Sequence, residues 1–297
     1  MNFGDRAFEA VRDKDSCVVV GLDPVWERMP AHLRSDAEAP KAFTRFCCEI
    51  IEAVADVAGI VKPQIAFFER FGPTGLESFR EVCRFAKSKG LLVIADVKRA
   101  DIGSTSRAYA DAYLGDGGFG EAVDAVTVNP YLGSDGLQPF FDVARERGKG
   151  VFVLVRTSNP GAGDIQDLTL SEDNRPVFEQ VAKLVKEWAG DDRGEKGYSH
   201  VGAVVGATYP AQARAVREIL PFHWLLVPGY GTQGATALDL KGLFDENGAG
   251  VLVNASRSII YAWEREDLGA SFSEKDFARA AQAAAAKMKD EINAVRR

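Results

Sequence analysis

The sequence predicts a single closed (β/α)8 barrel, and three observations carry that expectation. Eight short, β-branched runs recur along the chain, stretches of helical character separate them, and every run ends in polar, glycine or proline residues. Runs that are apolar on both faces suit strands of a parallel sheet covered on each side. Repeated strand-then-helix units build such a sheet, and eight of them match a barrel whose functional groups gather at the C-terminal strand ends. A doubly wound open sheet is the competing architecture, but its G-x-G-x-x-G phosphate turn is missing after the first run.

Taken in order, the first run spans 17–22 and ends in Asp23-Pro24, and a helical stretch at 42–57 follows. The second, 59–61, ends in Lys62-Pro63 and leads to helical sequence at 76–88. The third, 91–95, ends in Asp96-Val97-Lys98, and the fourth, 125–128, in Asn129-Pro130. The fifth, 151–155, precedes Thr157-Ser158-Asn159-Pro160 and helical sequence at 177–188. The sixth, 201–205, runs to Thr208-Tyr209-Pro210 and a helix over 210–219. The seventh, 224–227, ends in Pro228-Gly229-Tyr230-Gly231, and the eighth, 250–253, in Asn254-Ala255-Ser256-Arg257. An alanine-rich stretch at 277–288 reads as the last outer helix. No internal repeat or linker interrupts the chain, so 1–297 reads as one barrel domain, with a charged insertion at 189–200.

Composition narrows the function. Hydrophobic residues make up 46% and charged residues 27%, an ordinary balance for a chain with a sizeable core. A net charge of -7 argues against a general nucleic-acid or anionic-membrane surface, so an anionic ligand needs a local pocket. The four cysteines, Cys17, Cys47, Cys48 and Cys83, have no C-x-x-C spacing, and no apolar stretch approaches the ~20 residues of a membrane span. With no apolar stretch in the charged N-terminal segment either, a reduced, cytoplasmic protein is expected.

The richest segment is Asp96-Val97-Lys98-Arg99-Ala100-Asp101, directly after the third run. Side chains two apart on a strand share a face, so Asp96 and Lys98 should point together into the barrel mouth, with Lys62 on the neighbouring strand. An alternating set of Lys62, Asp96, Lys98 and Asp101 could hold several charges in an enclosed site, as a structural ion-pair network or as catalytic machinery. Carboxylates beside a lysine favour its ammonium form, which suits a proton donor rather than a Schiff base. Such an ammonium can stabilise and then protonate a carbon on which negative charge develops, while Asp96 crowds a substrate carboxylate.

At the far rim, Gly229, Gly231 and Gly234 follow run seven and Arg257 follows run eight, where barrels frequently bind phosphate. Glycine backbone N–H groups and a guanidinium suit an anion. Other candidates carry a weaker signal. His32, His200 and His223 lack ligand-like spacing and read as surface or structural residues, Asn129 precedes a proline as a cap or turn residue would, and Phe67, Phe68 and Phe71 suit a core. Tyr209 and Tyr230 could line the mouth or pack.

The D-x-K-x-x-D-I-x-x-T pattern of Asp96, Lys98, Asp101, Ile102 and Thr105 resembles the signature of the orotidine 5'-monophosphate decarboxylases. The segments Gly21-Leu22-Asp23-Pro24, Lys62-Pro63-Gln64, Arg156-Thr157-Ser158-Asn159-Pro160, Pro228 to Gly234 and Asn254-Ala255-Ser256-Arg257 resemble that family's other motifs in the same order. The likeness covers roughly 18–262, and the Thr157–Ala162 segment is similar to the longer bacterial branch. The resemblance implies a cofactor- and metal-independent decarboxylation to uridine 5'-monophosphate, the last step of pyrimidine nucleotide synthesis, with Lys98 protonating C6. It implies that Asp23 and Lys62 hold the ribose, that Ser158 and Gln233 contact the pyrimidine, with Gln233 also reaching the phosphate, and that Arg257 binds the phosphate. It further implies a homodimer in which Asp101 and Thr105 enter the partner's site. Two other readings stay open: a magnesium-dependent sugar-phosphate lyase sharing a D-x-K-x-x-D core, and a noncatalytic nucleotide sensor.

Overall fold

The computed structural model describes residues 1–36, 38–231, 234–269 and 272–296. Eight strands close into a barrel in chain order: β1 Val18–Leu22, β2 Ile60–Pro63, β3 Leu92–Arg99, β4 Ala125–Val128, β5 Gly150–Arg156, β6 Val201–Val205, β7 Leu225–Pro228 and β8 Val251–Ala255. All neighbours pair parallel, and β8 closes on β1 through Val18 opposite Val253. Nearly every strand residue is buried, because valine, isoleucine and leucine face the barrel interior on one side and the helices on the other. The expected runs thus all became strands, and β3 continues four residues past the end of its apolar run.

The helices are α1 Phe3–Lys14, α2 Ala31–Asp36, α3 Ala39–Val54, α4 Ala66–Glu69, α5 Gly72–Ser88, α6 Gly103–Leu114, α7 Ser134–Arg147, α8 Gly163–Gln166, α9 Val177–Ala189, α10 Pro210–Ile219, α11 Arg257–Ile260, α12 Glu266–Gly269 and α13 Phe277–Arg296. Outer positions are filled by α3, α5, α6, α7, α9, α10 and α13. The connection from β7 to β8 carries no α-helix among its described residues, only a 3-10 turn at Ala237–Leu240. Gly229, Gly231 and Gly234 there take φ of 101°, 74° and 90°, a left-handed conformation that an α-helix cannot use.

The N-terminal helix closes the end of the barrel opposite the functional rim. Phe3 packs edge-on against Phe152, the Trp224 indole N–H donates to the Gly4 carbonyl at 3.1 Å, and Arg6 pairs with the buried Asp124 at 2.6 Å. The charged segment 189–200 lies at this same end. There the Asp5 carboxylate accepts the backbone N–H groups of Glu195 and Lys196 at 3.1 and 2.8 Å. Cys17, Cys47 and Cys83 are buried thiols, and burial raises the pKa of each.

Candidate active site

Lys62 closes β2 and Asp96 lies in β3, and the barrel brings their side chains together at its C-terminal mouth. Both are almost fully enclosed, at 5% and 6% exposure, whereas the Lys98 side chain is 46% exposed and reaches in from the rim. Lys62 Nζ lies 2.5 Å from Asp96 Oδ2, and Lys98 Nζ lies 2.5 Å from Asp96 Oδ1, so one carboxylate bridges two ammonium groups. Burial works against both buried charges. For Asp96 the attraction of Lys62 and Lys98 wins and holds the carboxyl well below the usual carboxylate range. For Lys62 burial is outweighed by Asp96 and then Asp23, which raise its pKa above the ordinary lysine value.

Regular strand alternation does not produce this geometry. The register of β3 against β4 slips between Ala95 and Arg99, and Lys98 sits in that bulge at φ 44°, a left-handed conformation rare outside glycine. Opposite the bulge, Thr127 accepts the N–H groups of Val97 and Lys98, each at 3.1 Å, and donates its hydroxyl to Asp96 Oδ1 at 2.9 Å.

The cluster forms one wall of a cavity of about 360 Å³, whose lining includes Lys62, Asp96, Lys98, Thr127, Ser158, Pro228 and Asn254. Ser158 arrives there on a braced turn. Arg156, fully buried at the end of β5, donates to Gln212 at 2.6 Å, to the Thr157 carbonyl at 3.0 Å and to Gln166 at 3.1 Å. Its guanidinium also lies over the Tyr209 ring, 4.1 Å from the centroid. Gln166 in turn accepts the Thr157 N–H at 2.9 Å. Gly206 leaves room for this turn, since a Cβ there would lie 2.9 Å from Ser158 Cα. Across the cavity, a Cβ on Gly21 would come within 1.9 Å of Ser256 Oγ, so only glycine lets β1 and the end of β8 approach this closely. Two buried acceptors at this rim, Asp23 Oδ1 and Asn254 Oδ1, have no protein hydrogen-bond partner.

The remaining expected site residues lie at other places. Asp101 does not join the charge cluster within its own chain. Its carboxylate accepts the neighbouring Ile102 N–H at 2.8 Å, and Thr105 is exposed on the first turn of α6. Around them the surface carries Ile102, Tyr131 and Leu132, at 53%, 81% and 44% exposure. Arg257 begins α11 and is exposed, outside the cavity lining. Gly229 follows β7, while the Gly231 N–H turns back to the Ala235 carbonyl at 2.9 Å and is occupied by its own turn. Gln233 lies outside the described residues.

The structural readings of the weaker candidates agree with the packing. Asn129 caps its turn by accepting the Tyr131 N–H at 3.0 Å, Tyr230 donates to Glu291 at 2.7 Å, and Phe68 is core. His200 and His223 are buried rather than exposed. Three residues of the site were not singled out individually by the sequence reading: Thr127, Asn254 and the brace Arg156. A lone threonine in a Val-Thr-Val strand carries no signal beyond β propensity, but arginine ending an apolar strand was a usable one.

Comparison with known proteins gives a consistent result. Residues 16–268 match the family model described as the orotidine 5'-phosphate decarboxylase / HUMPS family. A curated orotidine 5'-phosphate decarboxylase of Rhodopirellula baltica is 45% identical over 301 positions, covering 98% of this chain and 99% of the relative. Its counterpart in Caldicellulosiruptor saccharolyticus is 41% identical, covering 99% of each chain. Among solved structures, OMP decarboxylase of Leishmania donovani superposes with a TM-score of 0.77 at 34% identity, covering 100% of this chain and 99% of that one. A putative orotidine 5'-phosphate decarboxylase of Streptomyces avermitilis gives 0.81 at 34% identity, covering 99% and 95%.

Proposed function

Because the chain belongs to the orotidine 5'-phosphate decarboxylase / HUMPS family, we propose that it converts orotidine 5'-monophosphate to uridine 5'-monophosphate without a cofactor, Lys98 supplying the proton. The observation that carries this reading is the line Lys62–Asp96–Lys98 along the cavity wall, two ammonium groups at 2.5 Å on one buried carboxylate. Asp96 is held ionised by its neighbours, so a substrate carboxylate seated beside it meets a fixed negative charge. The C6–carboxylate bond breaks, carbon dioxide leaves, and the electron pair stays on C6. The adjacent Lys98 ammonium stabilises that charge and transfers a proton to C6, and the resulting amine recovers its proton from water.

The rest of the substrate is assigned from the motifs this chain shares with the family. Asp23 and Lys62 take the ribose hydroxyls, and the unpartnered Asp23 Oδ1 is a free acceptor for one of them. Ser158, fixed on its braced turn, meets the pyrimidine, with Gln233 between pyrimidine and phosphate. Arg257 and the Gly229 side of the β7 loop receive the phosphate, where remote binding energy organises the reacting end. Because the Gly231 N–H is used in its own turn, we assign that glycine to loop shape. Asp101 and Thr105 enter the site of a second copy, and the exposed Ile102, Tyr131 and Leu132 beside them supply apolar surface for that contact. We place the enzyme in the cytoplasm, as one barrel domain over 1–297. No described helix is long and apolar enough to cross a membrane.

The test is loss of orotidine 5'-monophosphate absorbance on adding purified protein in EDTA, with orotidine as the phosphate-free control. Conversion to uridine 5'-monophosphate that is much slower on orotidine is the expected result. No conversion in EDTA, with turnover of a sugar phosphate once magnesium is added, would replace this reading by the lyase. Inactivity in both would point to a nucleotide sensor.

A further inference from the structure

We propose that Thr127 is a positioning residue of the decarboxylation, whose hydroxyl sets how Asp96 and Lys98 face the reacting carbon. The inference rests on the function proposed above and adds a residue to it. Thr127 lies in β4, 1% exposed, and lines the same cavity as the charged cluster. A hydroxyl has one donor and two acceptor positions, and here all three are in use. The proton goes to Asp96 Oδ1 at 2.9 Å, and the lone pairs accept the N–H groups of Val97 and Lys98 at 3.1 Å each.

Those three bonds tie the Asp96 carboxylate to the backbone of the bulge that carries Lys98. Asp96 is otherwise held by two lysine side chains, each a flexible stem with freely rotating donors, which restrain charge but not angle. The hydroxyl is the one short, rigid partner on Asp96 Oδ1, and it shares that oxygen with the Lys98 ammonium. The Lys98 backbone, at φ 44°, is in a costly conformation that persists only where its surroundings hold it. Thr127 holds it by tying two consecutive bulge amides to the carboxylate between the lysines. One side chain therefore fixes both the origin of the Lys98 stem and the plane of the Asp96 carboxylate. A misplacement of about 1 Å at such a site can cost roughly a hundredfold in rate.

A purely structural role, satisfying the amides of a bulge, predicts something different. It lowers the melting temperature but leaves turnover per folded molecule unchanged. The experiment compares single-turnover rates, KM and melting temperature for the parent, Thr127→Val, Thr127→Ser and Lys98→Ala, with orotidine 5'-monophosphate as substrate. Valine keeps the branched shape and loses the hydroxyl, while serine keeps the hydroxyl. The expected result is a rate roughly 10- to 100-fold lower in Thr127→Val with KM within about twofold of the parent, and most of the rate restored in Thr127→Ser. If Thr127→Val does not fold, Thr127→Cys, a weaker donor and acceptor of similar size, is expected to fall between serine and valine. Full turnover in the valine or cysteine variant, alongside an active parent and an inert Lys98→Ala, overturns the role of Thr127 alone. A parent that leaves the substrate unchanged overturns the underlying function and this inference with it.

Discussion

His223 is a buried side chain whose titration should make the fold less stable in mild acid. It lies just before β7, 4% exposed, with neither ring nitrogen hydrogen-bonded to protein. Burial first, then the nearby Arg217, Lys186 and His200, lowers its pKa to about 4 from an ordinary 6.5. The unfolded chain therefore takes up this proton at a higher pH than the folded one. The stability that depends on neutral His223 is complete above about pH 6.5, is lost as pH falls, and levels off near pH 4. Linkage over this interval gives a loss of about 2 kcal/mol between pH 7 and pH 5. We expect His223→Phe to remove that part of the slope in melting experiments at the two pH values. Equal slopes for parent and variant would show that another group sets it. At the same scale, Lys62, Asp96 and Lys98 were legible in the sequence because buried charges must alternate in sign to coexist. Thr127 was not, since a single small polar side chain inside a strand looks the same whether it faces a helix or a cavity, and Asn254 was legible only as part of the polar end of run eight, without a role of its own.

At the scale of elements, β3 and the turn after it are the most informative. Hydrophobicity ends the run at Ala95, but the strand continues to Arg99 through the bulge, because Thr127 supplies the hydrogen bonds that a flat ladder would lose. Period-two alternation correctly placed Asp96 and Lys98 together, although the backbone that does so is irregular. The turn into α6 carries Asp101 and Thr105 away from their own cluster, which a fourfold charge pattern could not reveal. That arrangement has a direct consequence for the proposed dimer. Lys98→Ala and Asp101→Asn chains, each inert alone, should regain activity on mixing and re-equilibration. Every mixed dimer then holds one intact site, roughly a quarter of all sites under random pairing. Absence of any recovery, with subunit exchange demonstrated, would confine Asp101 to its own chain. The turn after β5 was legible as a polar strand end, but not its brace. Arg156 fixes it through the nearby Gln166 and through Tyr209 and Gln212, which follow the next strand and reach it only in the folded barrel.

At the scale of the whole molecule, the barrel was readable because each strand is buried on both faces and each ends at a functional rim, a pattern that an open sheet with its phosphate turn would not give. The plug of α1 at the opposite end was not, since its anchors, Asp5, Arg6 and Trp224, act only across the closed sheet. Nor was the lack of an α-helix among the described residues between β7 and β8, where glycines at left-handed φ override the expected repeat. A net charge of -7 gives no general field for an anion, so the proposed substrate would depend on local groups such as Lys62 and Lys98 rather than on the surface at large.

The central claim is that this barrel removes the carboxylate and that Lys98 delivers the replacing proton. The most direct measurement is single-turnover conversion of orotidine 5'-monophosphate in heavy water with EDTA, parent beside Lys98→Ala, with the product analysed for deuterium at C6. The parent should yield uridine 5'-monophosphate carrying one deuterium at C6, and Lys98→Ala, still folded, should be slower by at least about a thousandfold. A Lys98→Ala chain that forms the same product within about tenfold of the parental rate would contradict the account, because the proton would then come from another group.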